Sequence, residues 1–134
     1  MRVLIDTNVI IDNLASRAPY NKDAKAIFNH IAAKQISGYV SISSITDIYY
    51  ILRKTFNDIE SKEKIRTLMH LFEAIIISKK DCFDALDSLV SDFEDALVVV
   101  CAEKEDLNYI VTRDLELLKL PKAISPSGFL GLLP

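Results

Sequence analysis

Apolar side chains recur at spacings of three and four in several stretches of the chain, the period of a helix with one buried face. Ala24, Ile27, Phe28 and Ile31 form one such stripe, Ile45, Ile48, Tyr49 and Leu52 a second, and Ile65, Leu68, Met69 and Phe72 a third. ALVVVCA (96–102) is apolar nearly all round. Its β-branched run makes a strand the competing reading, but the polar DFED before it and Glu103, Lys104 and Glu105 after it favour a buried helix. Between these segments lie VLI (3–5), YVSI (39–42), IIIS (75–78), YIVT (109–112) and, more weakly, KAIS (122–125), with a loop expected at SPSG (125–128). Short continuous apolar strands alternating with helices predict an α/β fold with a parallel sheet covered on both faces.

Composition narrows the class. With 134 residues, 50% hydrophobic and 26% charged, the chain is expected to form one domain (1–134) that buries a core without disulfides or a structural metal. Three Gly and four Pro are too few for fibrous or linker-rich chains. No apolar run reaches the roughly 18 residues of a membrane helix, and Asp6 interrupts any signal-like run near the start, so a cytoplasmic, non-membrane protein is expected. Cys82 and Cys101 lack partners at zinc spacing and read as small core hydrophobes, while His30 and His70 stand alone. The net charge of −3 argues against gripping nucleic acid by bulk positive potential. Cations bound by converging acids would change that balance.

The candidate chemistry is carboxylate chemistry. Asp6 directly follows a buried strand, and ligands of open α/β sheets bind at the carboxyl ends of strands. The same test picks out Asp47 after YVSI, Asp92 and Asp95 at the head of the buried helix, and Asp114 after YIVT. Each of the later acids has a structural alternative: Ser44-x-x-Asp47 resembles a capping box, Asp92 fits an N-cap, and Asp114 could cap a helix holding Leu115, Leu117 and Leu118. Asp81, Asp84 and Asp87 read as a solvated helix face. Asp84-Ala85-Leu86 repeats Asp95-Ala96-Leu97, but Asp95 is preferred because it heads the core helix.

Gathered carboxylates raise one another's pKa, and a hard divalent cation relieves the conflict. Mg²⁺ or Mn²⁺ suits oxygen ligands, and such a site suits phosphodiester hydrolysis.

LIDTNVIID, SSITDIYYILRK, DFEDALVVVCAEK and IVTRDLELL, taken in order together with the closing ISPSGFL, resemble the PIN domain, and within it the VapC-type toxin ribonucleases of toxin–antitoxin pairs. The resemblance implies a single α/β/α sandwich with a parallel sheet of four to five strands. It also implies a Mg²⁺- or Mn²⁺-dependent endoribonuclease that hydrolyses RNA with metal-activated water and forms no covalent intermediate. By motif position Asp6, Asp47, Asp95 and Asp114 match the catalytic acids, Asp6, Asp95 and Asp114 being the metal ligands, while Asn8, Thr112 and Asp92 are supporting residues. Asp47 departs from the family, which most often has Glu there. Expected partners are RNA, a cognate antitoxin protein and a second copy of the chain, for which ITDIYYIL (45–52) is a candidate surface.

Rivals are weaker. A haloacid dehalogenase-type enzyme wants a second acid where Asn8 stands, and a receiver-like domain wants an acidic pair beside the first strand. A catalytically decayed PIN-like binding scaffold is the alternative, with Asp47 as its best support.

Overall fold

The computed structural model describes residues 1–134. In chain order the elements are β1 (Arg2–Ile5), α1 (Thr7–Leu14), α2 (Asn21–Ala32), β2 (Ser37–Ser41), α3 (Ser44–Leu52), α4 (Asp58–Leu71) and β3 (Glu73–Ile75). Then come α5 (Lys79–Leu86), α6 (Phe93–Lys104), β4 (Tyr109–Val111), a 3-10 turn (Leu117–Lys119), β5 (Ala123–Ile124) and α7 (Pro126–Leu130). All strand pairs are parallel, and the five-stranded sheet runs β3-β2-β1-β4-β5.

β1 is the central strand, and its alternation builds both faces. Val3 and Ile5 point into a core shared with α1, α2, α3 and Phe129 of α7, whereas Leu4 points into a second core with Val98, Cys101 and Ala102 of α6. The chain is therefore an α/β/α sandwich. The near-continuous hydrophobicity of β1 follows from burial on both sides. α6 is buried along Ala96, Leu97, Val98, Cys101 and Ala102, so the β-branched run VVV is helical, as the flanking polar residues indicated.

Where the backbone departs from the pattern, the causes are local. The apolar run predicts the third strand over 75–78, but the strand occupies Glu73–Ile75, because Tyr39, Val40 and Ser41 pair with Glu73, Ala74 and Ile75. Ser78 is then taken as the cap of α5: its Oγ accepts the Asp81 N–H at 3.1 Å while Asp81 Oδ2 accepts the Ser78 N–H at 2.9 Å. Asp84 and Asp87 are exposed, as expected of a solvated face, but Asp81 is a correction: it is buried and paired with Lys104 at 2.7 Å. The SPSG stretch is a helix start and not a plain loop: Ser125 caps α7, with Pro126 in its first turn. Cys101 is fully buried as expected, but Cys82 is only half-buried. In the third stripe Leu68 and Phe72 are buried and Met69 is exposed.

Candidate active site

Asp6 stands where β1 ends. Its backbone N–H still bonds Val111 O of β4 at 2.9 Å, and its side chain caps α1 by accepting the Thr7 N–H at 2.9 Å. The other oxygen accepts the Thr112 hydroxyl at 2.8 Å. Thr112, fully buried at the end of β4, in turn accepts the Asp114 N–H at 3.0 Å. Asn8 completes the arrangement, with Nδ2 at 3.4 Å from both Asp6 Oδ2 and Thr112 Oγ1 and Oδ1 receiving the Arg113 N–H at 3.3 Å. The adjacency of parallel β1 and β4 thus joins residues more than 100 positions apart in sequence, here Asp6, Asn8, Thr112 and Asp114.

Asp95 comes from the first turn of α6. Asp92 is the N-cap that starts this turn, its side chain accepting the Asp95 N–H at 3.0 Å. Burial, and after it the charges of Asp114, Asp92, Asp6 and Glu94, pushes the Asp95 carboxyl up to about 6. The Asp6 carboxyl is also raised, chiefly by burial and further by Asp114, against the lowering effect of its bonds from Thr112 and Thr7. Asp114 itself caps a turn, its Oδ1 accepting the N–H groups of Glu116 at 2.8 Å and Leu117 at 3.3 Å. The segment it caps is a single 3-10 turn, not the α-helix that is the structural alternative for Asp114.

Asp47 lies exposed in the first turn of α3, and the expected capping box with Ser44 does not form: Ser43 is the N-cap and makes no side-chain cap bond. Its charge reaches Glu94, whose carboxyl is raised by burial and then by Asp47, Asp6 and Asp92. Glu94 escapes a reading of the sequence, where it is one more acid in a helix-start DFED. The signal available is its place beside Asp95 in the first turn of a core helix.

A second residue that sequence reasoning misses is Asp12. It interrupts the apolar face of NVIID, and at 0% exposure it is a fully buried carboxylate. An acid there demands a cationic partner. Arg113 and Arg17 supply it, at 2.6 and 3.0 Å.

The carboxyl edge therefore carries Asp6, Asp95 and Asp114 within electrostatic reach of one another, with Glu94 and Asp47 beside them. A cleft of about 300 Å³ reaches Asp95 from between Asp92, Glu116 and Lys119, and neither Asp6 nor Asp114 lines it. The larger groove of about 780 Å³ between α5 and α6, lined by Lys80, Asp81 and Lys104, contains none of these acids. No three Asp, Glu, His or Cys side chains converge closely enough to enclose an ion by themselves. The donor set is nonetheless all oxygen, and the carboxyls of Asp6 and Asp95 are raised by burial and by their neighbours' charge, which is the chemistry a hard divalent cation fits. Mg²⁺ commonly takes one or two carboxylates and completes its shell with water and substrate phosphate.

A doubly covered parallel sheet with acids gathered beyond its central strands defines a class of α/β domain whose chemistry sits at the strand ends. The profile of the PIN domain family matches residues 2–116, and the chain belongs to that family. No curated protein matches it in sequence. Among solved structures, a toxin–antitoxin complex from Klebsiella pneumoniae matches with a TM-score of 0.70 at 19% identity, over 92% of this chain and 97% of that one. VapBC2 from Rickettsia felis, bound to a DNA fragment from their promoter, matches with a TM-score of 0.65 at 17% identity, over 93% and 97%. Mycobacterium tuberculosis VapC20, a sarcin-ricin loop cleaving toxin, matches with a TM-score of 0.66 at 12% identity, over 98% and 96%. The PIN-like fold is thus shared with these proteins. No helix is long and apolar enough to cross a membrane.

Proposed function

We propose that this PIN domain is a divalent-metal-dependent endoribonuclease, the toxin of a toxin–antitoxin pair, acting in the cytoplasm. The observation that carries the reading is the placing of Asp6, Asp95 and Asp114 along one edge, at the ends of β1 and β4 and the start of α6, near enough to feel one another's charge, with Asp95 pushed up to about 6 by burial and by the neighbouring acids. Carboxylates that raise one another's pKa are suited to holding a cation.

Asp6, Asp95 and Asp114 would hold Mg²⁺ or Mn²⁺, with Asp47 and Glu94 at its margin. When bound, the metal supplies a nucleophilic hydroxide from water and neutralises charge on the phosphodiester oxygens. The chain's own residues do the rest. Thr112 and the Thr7 N–H fix both oxygens of Asp6, so its lone pairs face the site in one orientation. Asn8 bridges Asp6 and Thr112. One carboxylate among Asp6, Asp95 and Asp114 would orient or deprotonate the attacking water, and Asp95, whose side chain has no bonding partner from the chain, would be free to do so.

Single-stranded RNA is the substrate this edge would accept, because unpaired segments expose base edges that the deep, narrow groove of an A-form duplex keeps out of reach. The structural likeness to toxins solved with antitoxins supports a small antitoxin as partner. A basic side chain entering the acidic edge would be its natural plug. Homodimerisation through the 45–52 helix fits its surface, since Tyr50 is 68% exposed there while Ile48 and Leu52 are core.

The test is cleavage of several RNAs by wild type, Asp6→Asn and Asp95→Asn with Mg²⁺, Mn²⁺ or EDTA. Metal-dependent cutting by wild type, lost in both variants, is expected. Equal background in all three folded proteins would instead make the chain a decayed binding scaffold.

A further inference from the structure

Between Thr112 and Asp114 stands Arg113, tied to α1 twice over. Its backbone N–H donates to Asn8 Oδ1 at 3.3 Å, and its guanidinium grips Asp12 with Nε at 2.6 Å and Nη2 at 2.9 Å. Asn8 and Asp12 are four residues apart on α1, so both ties run to one face of that helix. The guanidinium also lies over the Tyr20 ring just before α2, with Cζ 3.7 Å from its centroid. Arg17 shares the Asp12 carboxylate, Nε and Nη2 both reaching Oδ1 at 3.0 Å.

Asp12 is fully buried while the Arg113 side chain stays 27% exposed, and burying a carboxylate in such a pair is a poor device for stability, because its desolvation offsets much of the attraction; the pair's stronger use is to specify geometry. The geometry it specifies here is that of the segment carrying Thr112 and Asp114. We propose that Arg113, through its fork on buried Asp12, is a positioning residue that holds the Thr112–Asp114 segment against α1 and so sets Asp114 and the Thr112 hydroxyl beside Asp6. The proposal rests on the nuclease reading for its effect on catalysis, but its structural part can be read without any substrate.

Lysine keeps the charge of Arg113 and loses the planar fork. In Arg113→Lys, hydrogen exchange of the Asp114 amide, which bonds Thr112 Oγ1, is expected to speed up at unchanged global stability. kcat for RNA should fall by about 100-fold with KM unchanged, the effect of displacing a reacting group by roughly 1 Å. Arg17→Ala, which removes the other guanidinium from Asp12 and its 3.1 Å bond to the Asn8 carbonyl while leaving the Arg113 fork and the Asn8 side chain in place, should keep kcat within about threefold of wild type, since only interactions that act on the reacting groups change it. Wild-type exchange at Asp114 in folded Arg113→Lys would overturn the proposal. So would a loss confined to KM, which would make Arg113 an RNA contact, or an equal kcat loss in Arg17→Ala, which would reduce both arginines to neutralising Asp12. If Arg113→Lys does not fold, Asp12→Asn is read in the same way, and failure of both to fold would make the pair a requirement of the fold and overturn the positioning role. A wild type that cuts no RNA would defeat the nuclease reading while the amide exchange still decides the positioning.

Discussion

The Thr112 hydroxyl donates to Asp6 Oδ2 at 2.8 Å while accepting the Asp114 N–H at 3.0 Å. One buried hydroxyl therefore sets the spacing of two acids from opposite ends of the chain. Thr112→Val keeps the shape and deletes that link. Such a protein is expected to lose about 2 kcal/mol in urea unfolding, the scale of a hydrogen bond to a charged group. It should also cut RNA about 10- to 100-fold more slowly, as when a residue supporting a metal ligand is removed. Thr112→Ser, which retains the hydroxyl, should stay near wild type in both assays.

Asp95 holds its proton up to about 6 in the folded protein against an ordinary 3.8. The folded state binds more protons than the unfolded chain between those values, so stability present below pH 3.8 is lost as pH rises to about 6. Discounted for solvent screening, the cost at pH 7 is about 1 kcal/mol. Without divalent metal, Asp95→Asn should therefore melt about 4 °C above wild type at pH 7. The two should coincide at about pH 3.5, which lies below the ordinary carboxyl value. Added Mn²⁺ should raise the wild-type melting temperature at pH 7 and leave the variant's nearly unchanged. A melting difference equal at both pH values would exclude the charge of Asp95 as its cause.

Asp81 shows the opposite sign. The Lys104 ammonium, then the Ser78 N–H, hold its carboxyl down at about 2. Its contribution is complete above pH 3.8 and disappears as pH falls toward 2. Asp81→Asn should destabilise by about 2 kcal/mol at pH 7 by chemical unfolding. That difference should shrink in acid, and RNA cleavage at neutral pH should be unaffected.

Gly38 in β2 can take a side chain only if the buried Ile31 side chain shifts. A Cβ there would meet Ile31 Cδ1 at 2.5 Å and Phe72 Cε2 at 3.1 Å. Gly38→Ala is expected to cost about 1–3 kcal/mol by overpacking. The enlarging variant paired with Ile31→Val should recover part of that loss in the same denaturation assay.

Much of the sandwich is readable along the chain because its elements are locally consistent. Ala24, Ile27, Phe28 and Ile31 are buried as one face of α2, and Val3 to Ile5 are buried on alternating faces of β1. α1 is less legible: its eight residues are too few to show a stripe, and Asp12 breaks the pattern. The register of β3 is hidden because IIIS is apolar almost throughout, so cross-strand pairing with β2 and the cap at Ser78 settle where the strand stops.

The acids divide in the same way. Asp6, Asp95 and Asp114 can be selected from sequence because each follows a strand or opens a helix, which is a local property. Their mutual distances are not local. The sheet order that seats β1 beside β4 brings Asp6 against Thr112, and burial together with neighbouring charge raises the Asp95 carboxyl. The chain by itself determined which segments are helix or strand and which carboxylates stand at their ends, since backbone propensity and hydrophobic period act over a few residues. Only the tertiary structure decided that Asp12 would lie buried under two arginines, one five and one 101 residues away, and that Glu94 would feel the charge of Asp47, because Coulomb and desolvation energies depend on distances and burial in space that the order of residues does not give.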